Sequence, residues 1–254
     1  MNPFVRIGLV LWMAAAYECA IASTQAEVIE IDPSQRFQTI EGFGASGAWW
    51  AQSVGAWPKD KREPILKLLY ESQDGIGLTI YRYNIGAGSG NDIKDPWRSA
   101  ETFEVSQGKY DWTRDASAVR LLNRVCELGA ERVILFANSP PVRMTRSGYA
   151  YASKETGVSN LPKEMYPEFA TYLADIAEHF ITEMNIPVYA VSPINEPQWK
   201  WDTNKQEGCH YKPDEVADLI KLMIKEVSRR KIDIQVDAPE SGSWKRYEDF
   251  EEKG

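Results

Sequence analysis

The sequence has few of the residues that usually form catalytic metal centres. It contains two histidines, His179 and His210, and three cysteines among 254 residues. Neither an HExxH nor a CxxC pattern occurs, and two histidines leave little material for a Ser-His triad. We therefore predict that the protein has no metal site and does not use a Ser-His mechanism.

The chain also lacks an excess of positive charge. Lys and Arg total 29 against 37 Asp and Glu, which gives a formal net charge of −8. Nucleic acids and anionic membranes would be repelled at long range, so we predict neither as a partner and favour a neutral ligand. The length, with 43% hydrophobic and 26% charged residues, is typical of a soluble globular protein with a substantial core.

Long apolar runs are absent except at the start, which reads MNPFVRIGLVLWMAAAYECAIAS. Arg6 precedes an apolar run from Ile7 to Tyr17, and small residues follow it. This pattern predicts a secretory signal peptide over residues 1–22, cut after Ala22 or alternatively after Ala26. The run is too short to span a membrane, although a buried first helix is the alternative. We expect a secreted, periplasmic or extracellular protein that does not bind a membrane after cleavage.

The cysteines do not define a disulfide framework. Cys19 leaves with the predicted signal peptide, Cys126 falls in a predicted helix and Cys209 in a predicted loop. In an oxidising compartment Cys126 and Cys209 either pair or remain free thiols, and their spacing does not distinguish the two.

Apolar strands alternate with amphipathic helices along the chain. The predicted strands cover residues 40–50, 77–85, 132–138, 187–195 and 232–238. The predicted helices cover residues 59–71, 115–128, 163–184 and 213–230. Such alternation predicts an α/β fold with parallel strands joined by helical crossovers.

The loops favour a barrel over an open doubly wound sheet. No GxGxxG follows a strand, and the Gly-rich GAGSGND at residues 86–92 lacks the P-loop lysine. Long polar segments after the strands suit loops that crown one face of a (β/α)8 barrel, which we place at residues 41–254. Five of eight βα units are visible, so we expect the amino-terminal part of a longer enzyme, with a complete five-stranded open sheet as the alternative.

Residues 23–40 lie outside this alternation. Val28, Ile29 and Ile31 alternate with charged residues and lead to a turn at residues 32–34. We predict an exposed amino-terminal strand that belongs to a side β-sandwich, because a lone edge strand needs a partner sheet.

The segment VYAVSPINEPQW at residues 188–199 carries the main site signal. Glu196 follows a buried strand, and the carboxyl ends of strands are where an α/β barrel keeps its chemistry. A glycosidase needs one carboxylic acid to protonate the leaving oxygen and a second carboxylate as nucleophile or base. Asn195 would bond a sugar 2-hydroxyl, and Trp199 and Trp201 offer flat apolar faces to a sugar. The alternative is a solvated loop carboxylate beside packed tryptophans.

Five ordered segments resemble one family. They are FQTIEGFGASGAWWA at 37–51, YRYNIGAGSG at 81–90, FANSPPVRMTRSG at 136–148, SPINEPQW at 192–199 and QEGCHY at 206–211. The chain resembles glycoside hydrolase family 30, a clan A family of retaining enzymes, and most closely its endo-β-1,6-galactanase-like branch.

The resemblance implies roles for three residues. Glu196 would be the general acid/base, and a Glu after the seventh barrel strand, beyond residue 254, would be the nucleophile. Glu240 is the only local substitute, but one βα unit separates it from Glu196, so we expect it to line the cleft. Arg82 matches an arginine that contacts the catalytic carboxylates and would hold the nucleophile ionised. An arginine paired with a structural acid is the alternative.

The remaining candidate residues are aromatic or polar. Trp49 and Trp50 would form the floor of a sugar subsite, or else they would fill the end of the barrel as a plug. His210 and Tyr211 would bond a sugar hydroxyl or else cap a loop. Asn138 shapes the third loop, where the chain departs from its relatives because Arg143 stands near a position that holds an aromatic residue.

The resemblance implies hydrolysis by double displacement without a cofactor. The expected substrate is a β-1,6-galactan polysaccharide or oligosaccharide, and the full-length protein would be a monomer. Another β-glycosidic substrate (glucosyl, xylosyl or glucuronoxylan) is one alternative, and an inactive sugar-binding fragment without the nucleophile is another.

Overall fold

The structure, a computed structural model, describes residues 29–152, 158–238 and 240–243. The predicted signal peptide lies outside these residues. The chain divides into two units between Ile40 and Glu41. In the described residues, no helix is long and apolar enough to cross a membrane.

The described part of the first unit, residues 29–40, forms a turn but no strand. The Asp32 carboxylate accepts hydrogen bonds from the Ser34 amide (2.9 Å) and hydroxyl (2.7 Å), which makes the predicted turn. The side chains of Ile29 and Ile31 are exposed. Residues 29–40 contain no strand; the rest of the predicted amino-terminal strand, residues 23–28, lies outside the described residues, and its place in a side β-sandwich stays a prediction.

A five-stranded parallel sheet forms the centre of the second unit. Its strands are β1 (Gly44–Ser46), β2 (Ile80–Ile85), β5 (Arg132–Ala137), β6 (Val188–Ser192) and β7 (Gln235–Val236), in the order β1-β2-β5-β6-β7. Between β2 and β5, β3 (Glu104–Ser106) and β4 (Lys109–Tyr110) form an antiparallel hairpin. The helices are α1 (Trp50–Ala56), α2 (Lys59–Tyr70), α3 (Ala116–Leu128), α4 (Tyr166–Thr182) and α5 (Pro213–Arg230). The predicted α/β architecture with parallel strands is confirmed.

The helices bury one face of the sheet. Tyr81, Tyr83, Val133 and Leu135 point from β2 and β5 into a core that the apolar side of α3 and α4 completes. Because side chains alternate along a strand, the residues between them lie on the opposite face. Arg82 is one of these, and its strand places it opposite Ile134 of β5. This second face carries the polar residues of the site.

The first predicted strand is much shorter than expected, since residues 40–50 contain only Gly44–Ser46 as strand. A Cβ on Gly44 would lie 2.5 Å from the Ile80 carbonyl oxygen, so β1 approaches β2 too closely for a side chain. The Gly47 carbonyl already accepts a hydrogen bond from the Ala51 amide (2.8 Å), and the chain turns directly into α1. Trp50 therefore opens a helix and does not end a strand. The last predicted strand, 232–238, is likewise reduced to Gln235–Val236.

Helix boundaries follow local chemistry. α3 begins after Asp115, whose φ of 48° is left-handed, and ends at Gly129, whose φ of 138° favours glycine. α5 starts at Pro213, and the Glu215 carboxylate accepts a hydrogen bond from the Lys212 amide (2.8 Å). Both positions agree with the predicted helix starts.

Candidate active site

Polar side chains meet at the carboxyl ends of β2, β5, β6 and β7. Arg82 is the third residue of β2 and Asn84 the fifth, and both lie on the face opposite the helices. Asn138 follows β5, and Asn195 and Glu196 follow β6. Since the strands are parallel, their carboxyl ends share one edge of the sheet, and these residues come together although they lie far apart in sequence.

Arg82 is the charged centre of this group. Its Nη2 donates a hydrogen bond to Asn195 Oδ1 (2.9 Å) and forms an ion pair with Glu240. The guanidinium carbon lies 3.3 Å from the centre of the Phe136 ring, so the cation also rests on an aromatic face. Burial lowers the pKa of Arg82, and the attraction of Glu240 opposes that shift.

A chain of amide side chains fixes Asn195. Asn195 Nδ2 donates to Asn138 Oδ1 (2.9 Å), and Asn138 Nδ2 donates to Asn84 Oδ1 (2.8 Å). Asn138 and Asn84 are buried. Because each amide has one acceptor and two donor hydrogens, this chain defines which end of Asn195 faces Arg82. Asn138 therefore holds the Asn195 side chain in the orientation in which Oδ1 faces Arg82.

Glu196 occupies a strained position at this edge. Its φ of 47° is in the left-handed region, which costs about 1–3 kcal/mol for a residue other than glycine. Its backbone is held on both sides, because its amide donates to the Glu240 carbonyl (3.0 Å) and its carbonyl accepts from Trp201 Nε1 (3.0 Å). Burial raises the pKa of the Glu196 carboxyl, while the charge of Arg82 lowers it. The net shift upward suits a proton donor.

The segment after β7 lies directly against Glu196. Glu240 also has a left-handed φ, 43°, and burial raises the pKa of its carboxyl against the opposing charge of Arg82. A Cβ on Gly242 would lie 2.7 Å from Glu196 Oε1 and 2.6 Å from Trp199 Nε1. Only glycine therefore fits at position 242 without moving the ends of these side chains.

Glu196 opens onto a cleft of about 630 Å³. Its lining comes from the loop after β6 and includes Gln198, Trp199, Lys200, Trp201 and Asp202. Trp199 is 40% exposed, which leaves ring surface for a flat ligand. Trp201 is less available, since Gly208 packs against its ring. His210 Nδ1 lies 3.2 Å from the Trp199 carbonyl and so contacts the backbone of this loop.

The other aromatic candidates lie away from the cleft lining. Trp50 Nε1 donates to the Ser46 carbonyl (2.7 Å) and its ring packs against the core, which agrees better with a plug than with a sugar floor. Trp49 is half-buried and precedes α1. Tyr211 is 1% exposed and belongs to the core, while its amide donates to the Pro197 carbonyl (3.1 Å). The structure thus gives Tyr211 a packing position behind the loop.

Glu207, which the sequence analysis did not single out, anchors the loop after β6. It is completely buried and accepts hydrogen bonds from Ser89 Oγ (2.6 Å) and from the amides of Ala87 (3.3 Å) and Ala100 (3.2 Å). Burial raises the pKa of Glu207 to about 7. Glu207 lies in the QEGCHY segment at residues 206–211, which resembles the family, and this position was the sequence feature that could have indicated a role for it. The loop that carries Glu196 is thereby tied to the loop after β2.

Arg143 and the cysteines do not belong to the cleft. Arg143 donates to both carboxylate oxygens of Glu104 (2.8 and 2.9 Å) and pairs with Glu168, so it binds the β3–β4 hairpin to α4. Cys126 and Cys209 are both free thiols. In the described part of the chain, no cluster of His, Cys, Asp and Glu has the arrangement of a metal site.

Comparisons with known proteins identify the family of the chain. The model of O-Glycosyl hydrolase family 30 matches residues 26–253. An endo-beta-1,6-galactanase of Hypocrea rufa is 30% identical over 230 residues, which cover 80% of this chain and 47% of that protein. An exo-beta-1,6-galactobiohydrolase of Bifidobacterium longum subsp. longum is 24% identical, covering 78% of this chain and 17% of that protein.

Solved structures show the same fold. A conserved exported protein from Bacteroides fragilis has a TM-score of 0.79 at 32% identity, over 84% of this chain and 46% of that one. The catalytic domain of xylanase C from Talaromyces cellulolyticus, a GH30 enzyme, has a TM-score of 0.64 at 21% identity, over 85% and 49%. The predicted barrel class is thereby confirmed, with five strands of the sheet among the described residues. The chain spans about half the length of the galactanase and of both solved structures.

Proposed function

Because the chain belongs to O-Glycosyl hydrolase family 30, we propose that it supplies the proton donor of a secreted retaining enzyme that cleaves β-1,6-linked galactan. The main support is the half-buried Glu196, which has a raised pKa and opens onto a cleft beside Trp199. Both relatives, an endo-beta-1,6-galactanase and an exo-beta-1,6-galactobiohydrolase, are named for β-1,6-linked galactose, which favours this substrate. The predicted signal peptide and the exported structural neighbour support secretion.

In the proposed reaction, Glu196 acts twice. In its protonated form it gives a proton to the oxygen of the departing sugar, and in the second step it takes a proton from water. Asn195 contributes the donor hydrogen that remains free, because Nδ2 carries two hydrogens and Asn138 receives only one. This hydrogen suits the sugar 2-hydroxyl, whose bonding strengthens as the transition state forms.

We propose that Glu240 supports Glu196 from behind the cleft, whose lining among the described residues does not include it, and that the nucleophile is a different carboxylate. The Glu240 carboxylate forms an ion pair with Arg82, but only one βα unit separates it from Glu196, whereas the family resemblance implies a nucleophile after the seventh barrel strand. The nucleophile of a retaining pair stands about 5–5.5 Å from the proton donor, across the sugar, and is free to form the covalent intermediate. The 254-residue chain should therefore bind oligosaccharide without turning it over.

Binding and turnover test this proposal separately. We expect tryptophan fluorescence to report binding of β-1,6-galactotetraose to the chain, with weaker binding of β-1,4-xylotetraose and β-1,6-glucotetraose. Trp199→Ala should weaken galactotetraose binding at least about tenfold by removing a stacking surface, while the core substitution Val216→Ala serves as a control outside the cleft. Equal affinity for all three oligosaccharides would contradict the proposed substrate.

Turnover is measured on β-1,6-galactan with the same chain. Release of reducing ends at the rate of an ordinary glycosidase would place a nucleophile within residues 1–254 and would contradict our assignment of Glu240. In that case Glu240→Gln would abolish the activity. No turnover together with selective binding is the expected result.

A further inference from the structure

Arg82 places a positive charge next to Glu196, the proposed proton donor. Glu240 forms an ion pair with Arg82 and so neutralises that charge. Arg82 reaches Asn195, the residue directly before Glu196, so its charge lies beside the donor. A cation close to a carboxyl favours the ionised form, which cannot donate a proton. Without a counter-charge, Arg82 would work against Glu196.

Glu240 is built to supply this counter-charge. Its carboxylate binds the guanidinium directly, and its carbonyl accepts the Glu196 amide at 3.0 Å, so one residue contacts both partners. The Arg82 and Glu240 side chains are 24% and 19% exposed, a setting in which water screens the charges poorly. We propose that Glu240 is a positioning residue. It binds the Arg82 guanidinium and neutralises its charge, so that Glu196 stays protonated for catalysis.

This role rests on the proposed function of Glu196 as proton donor, and other charges near the pair do not replace it. Among the described residues, the negative charges of Glu240, Asp237 and Glu196 raise the pKa of Arg82. Of these, Glu240 alone forms an ion pair with it there. On the cleft side, Lys200 and Asp202 share the lining with Glu196 and carry opposite charges. Burial raises the pKa of Glu196, and the charge of Arg82 opposes this shift, so the Arg82 charge is the effect that a counter-charge would have to offset.

Removing only the charge of Glu240 tests the proposal. In Glu240→Gln, Arg82 becomes a poorly solvated cation without its carboxylate, and Asp237 and Glu196 are the acids whose charges still attract it. We expect the titration midpoint of Glu196 to fall by at least about one pH unit. The midpoint is read from the side-chain ¹³C shift of ¹³C-labelled glutamate in the whole chain, with the signal assigned by its loss in Glu196→Gln.

A second Arg–Glu pair provides a matched control. Glu63 of α2 pairs with Arg124 of α3, and these side chains are 18% and 30% exposed, close to the values for the active-site pair. Glu63→Gln should leave the Glu196 midpoint unchanged. An equal fall in both variants would show a general effect of breaking an ion pair and would overturn the proposal, as would an unchanged midpoint in Glu240→Gln.

A double variant keeps the test decisive if Glu240→Gln does not fold. Arg82→Gln/Glu240→Gln contains neither charge, so it leaves no unpaired ion, and its Glu196 midpoint should equal or exceed that of the wild type. A midpoint below the wild-type value in this variant would overturn the proposal. The titration requires no substrate, so its outcome is independent of whether β-1,6-galactan proves to be the ligand.

Discussion

The charge of Glu207 should make the stability of the chain fall as the pH rises. Its carboxyl is completely buried, and none of the ion pairs in the described residues includes it. Its pKa is about 7 in the folded chain against an ordinary value of 4.5, so the folded state binds the proton more tightly than the unfolded state. The resulting stabilisation is complete below the unfolded pKa and is lost as the pH rises through the folded pKa.

The magnitude follows from the two pKa values. Between about pH 5 and about pH 8 the free energy of unfolding should fall by about 2–3 kcal/mol through this group alone. Urea unfolding of the wild type and of Glu207→Gln at both pH values measures it, because glutamine does not titrate. The gap in stability between the two proteins should change by that amount between the two pH values.

Other titrating groups cancel in this comparison. Asp115, whose pKa burial also raises to about 7, is present in both proteins and contributes equally. The exposed Glu131→Gln serves as a control and should keep the wild-type pH dependence. If Glu207→Gln keeps it as well, Glu207 does not titrate in this range and our account of its burial is wrong.

Two further substitutions examine the geometry around the proton donor. Asn138→Leu removes both hydrogen bonds that Asn138 makes and should cost about 3 kcal/mol in urea unfolding, because it leaves the buried Asn84 and the half-buried Asn195 without this partner; a loss below about 1 kcal/mol would contradict this. Gly242→Ala should change the stability little, since the three atoms nearest to the new Cβ are at the ends of the Gln198, Trp199 and Glu196 side chains and none is backbone. It should nevertheless weaken oligosaccharide binding about tenfold by displacing the Glu196 side chain. An unchanged dissociation constant would contradict the close approach of Gly242 to Glu196.

The position of Glu196 could be predicted because it depends on local pattern. An apolar run that ends in a carboxylate indicates a strand end, and parallel strands bring their ends to one edge. Arg82 and Asn138 could be placed at that edge for the same reason. Their contacts could not, since the sequence does not show that Arg82 pairs with Glu240 or that Asn138 supports Asn195.

The errors came from segments whose structure is decided by close packing. Residues 40–50 look like a strand by composition, yet Gly44 and Gly47 bring the chain so near to β2 that it turns into a helix after three strand residues. Tyr211 looks like a hydroxyl available to a ligand, but the loop folds back and buries its ring. In both cases tertiary contacts override a local preference, and no pattern in the sequence records those contacts.

The strain at the site explains why its supporting contacts are so numerous. Glu196 and Glu240 both hold left-handed backbone conformations, at a combined cost of about 2–6 kcal/mol. That cost persists only where neighbouring groups fix the conformation, and the hydrogen bond between the Glu196 amide and the Glu240 carbonyl does this for both residues at once. The two carboxylates are therefore coupled twice, through the backbone and through Arg82. A substitution that relaxes one of them should move the other, which is why the titration of Glu196 is a direct measure of what Glu240 does.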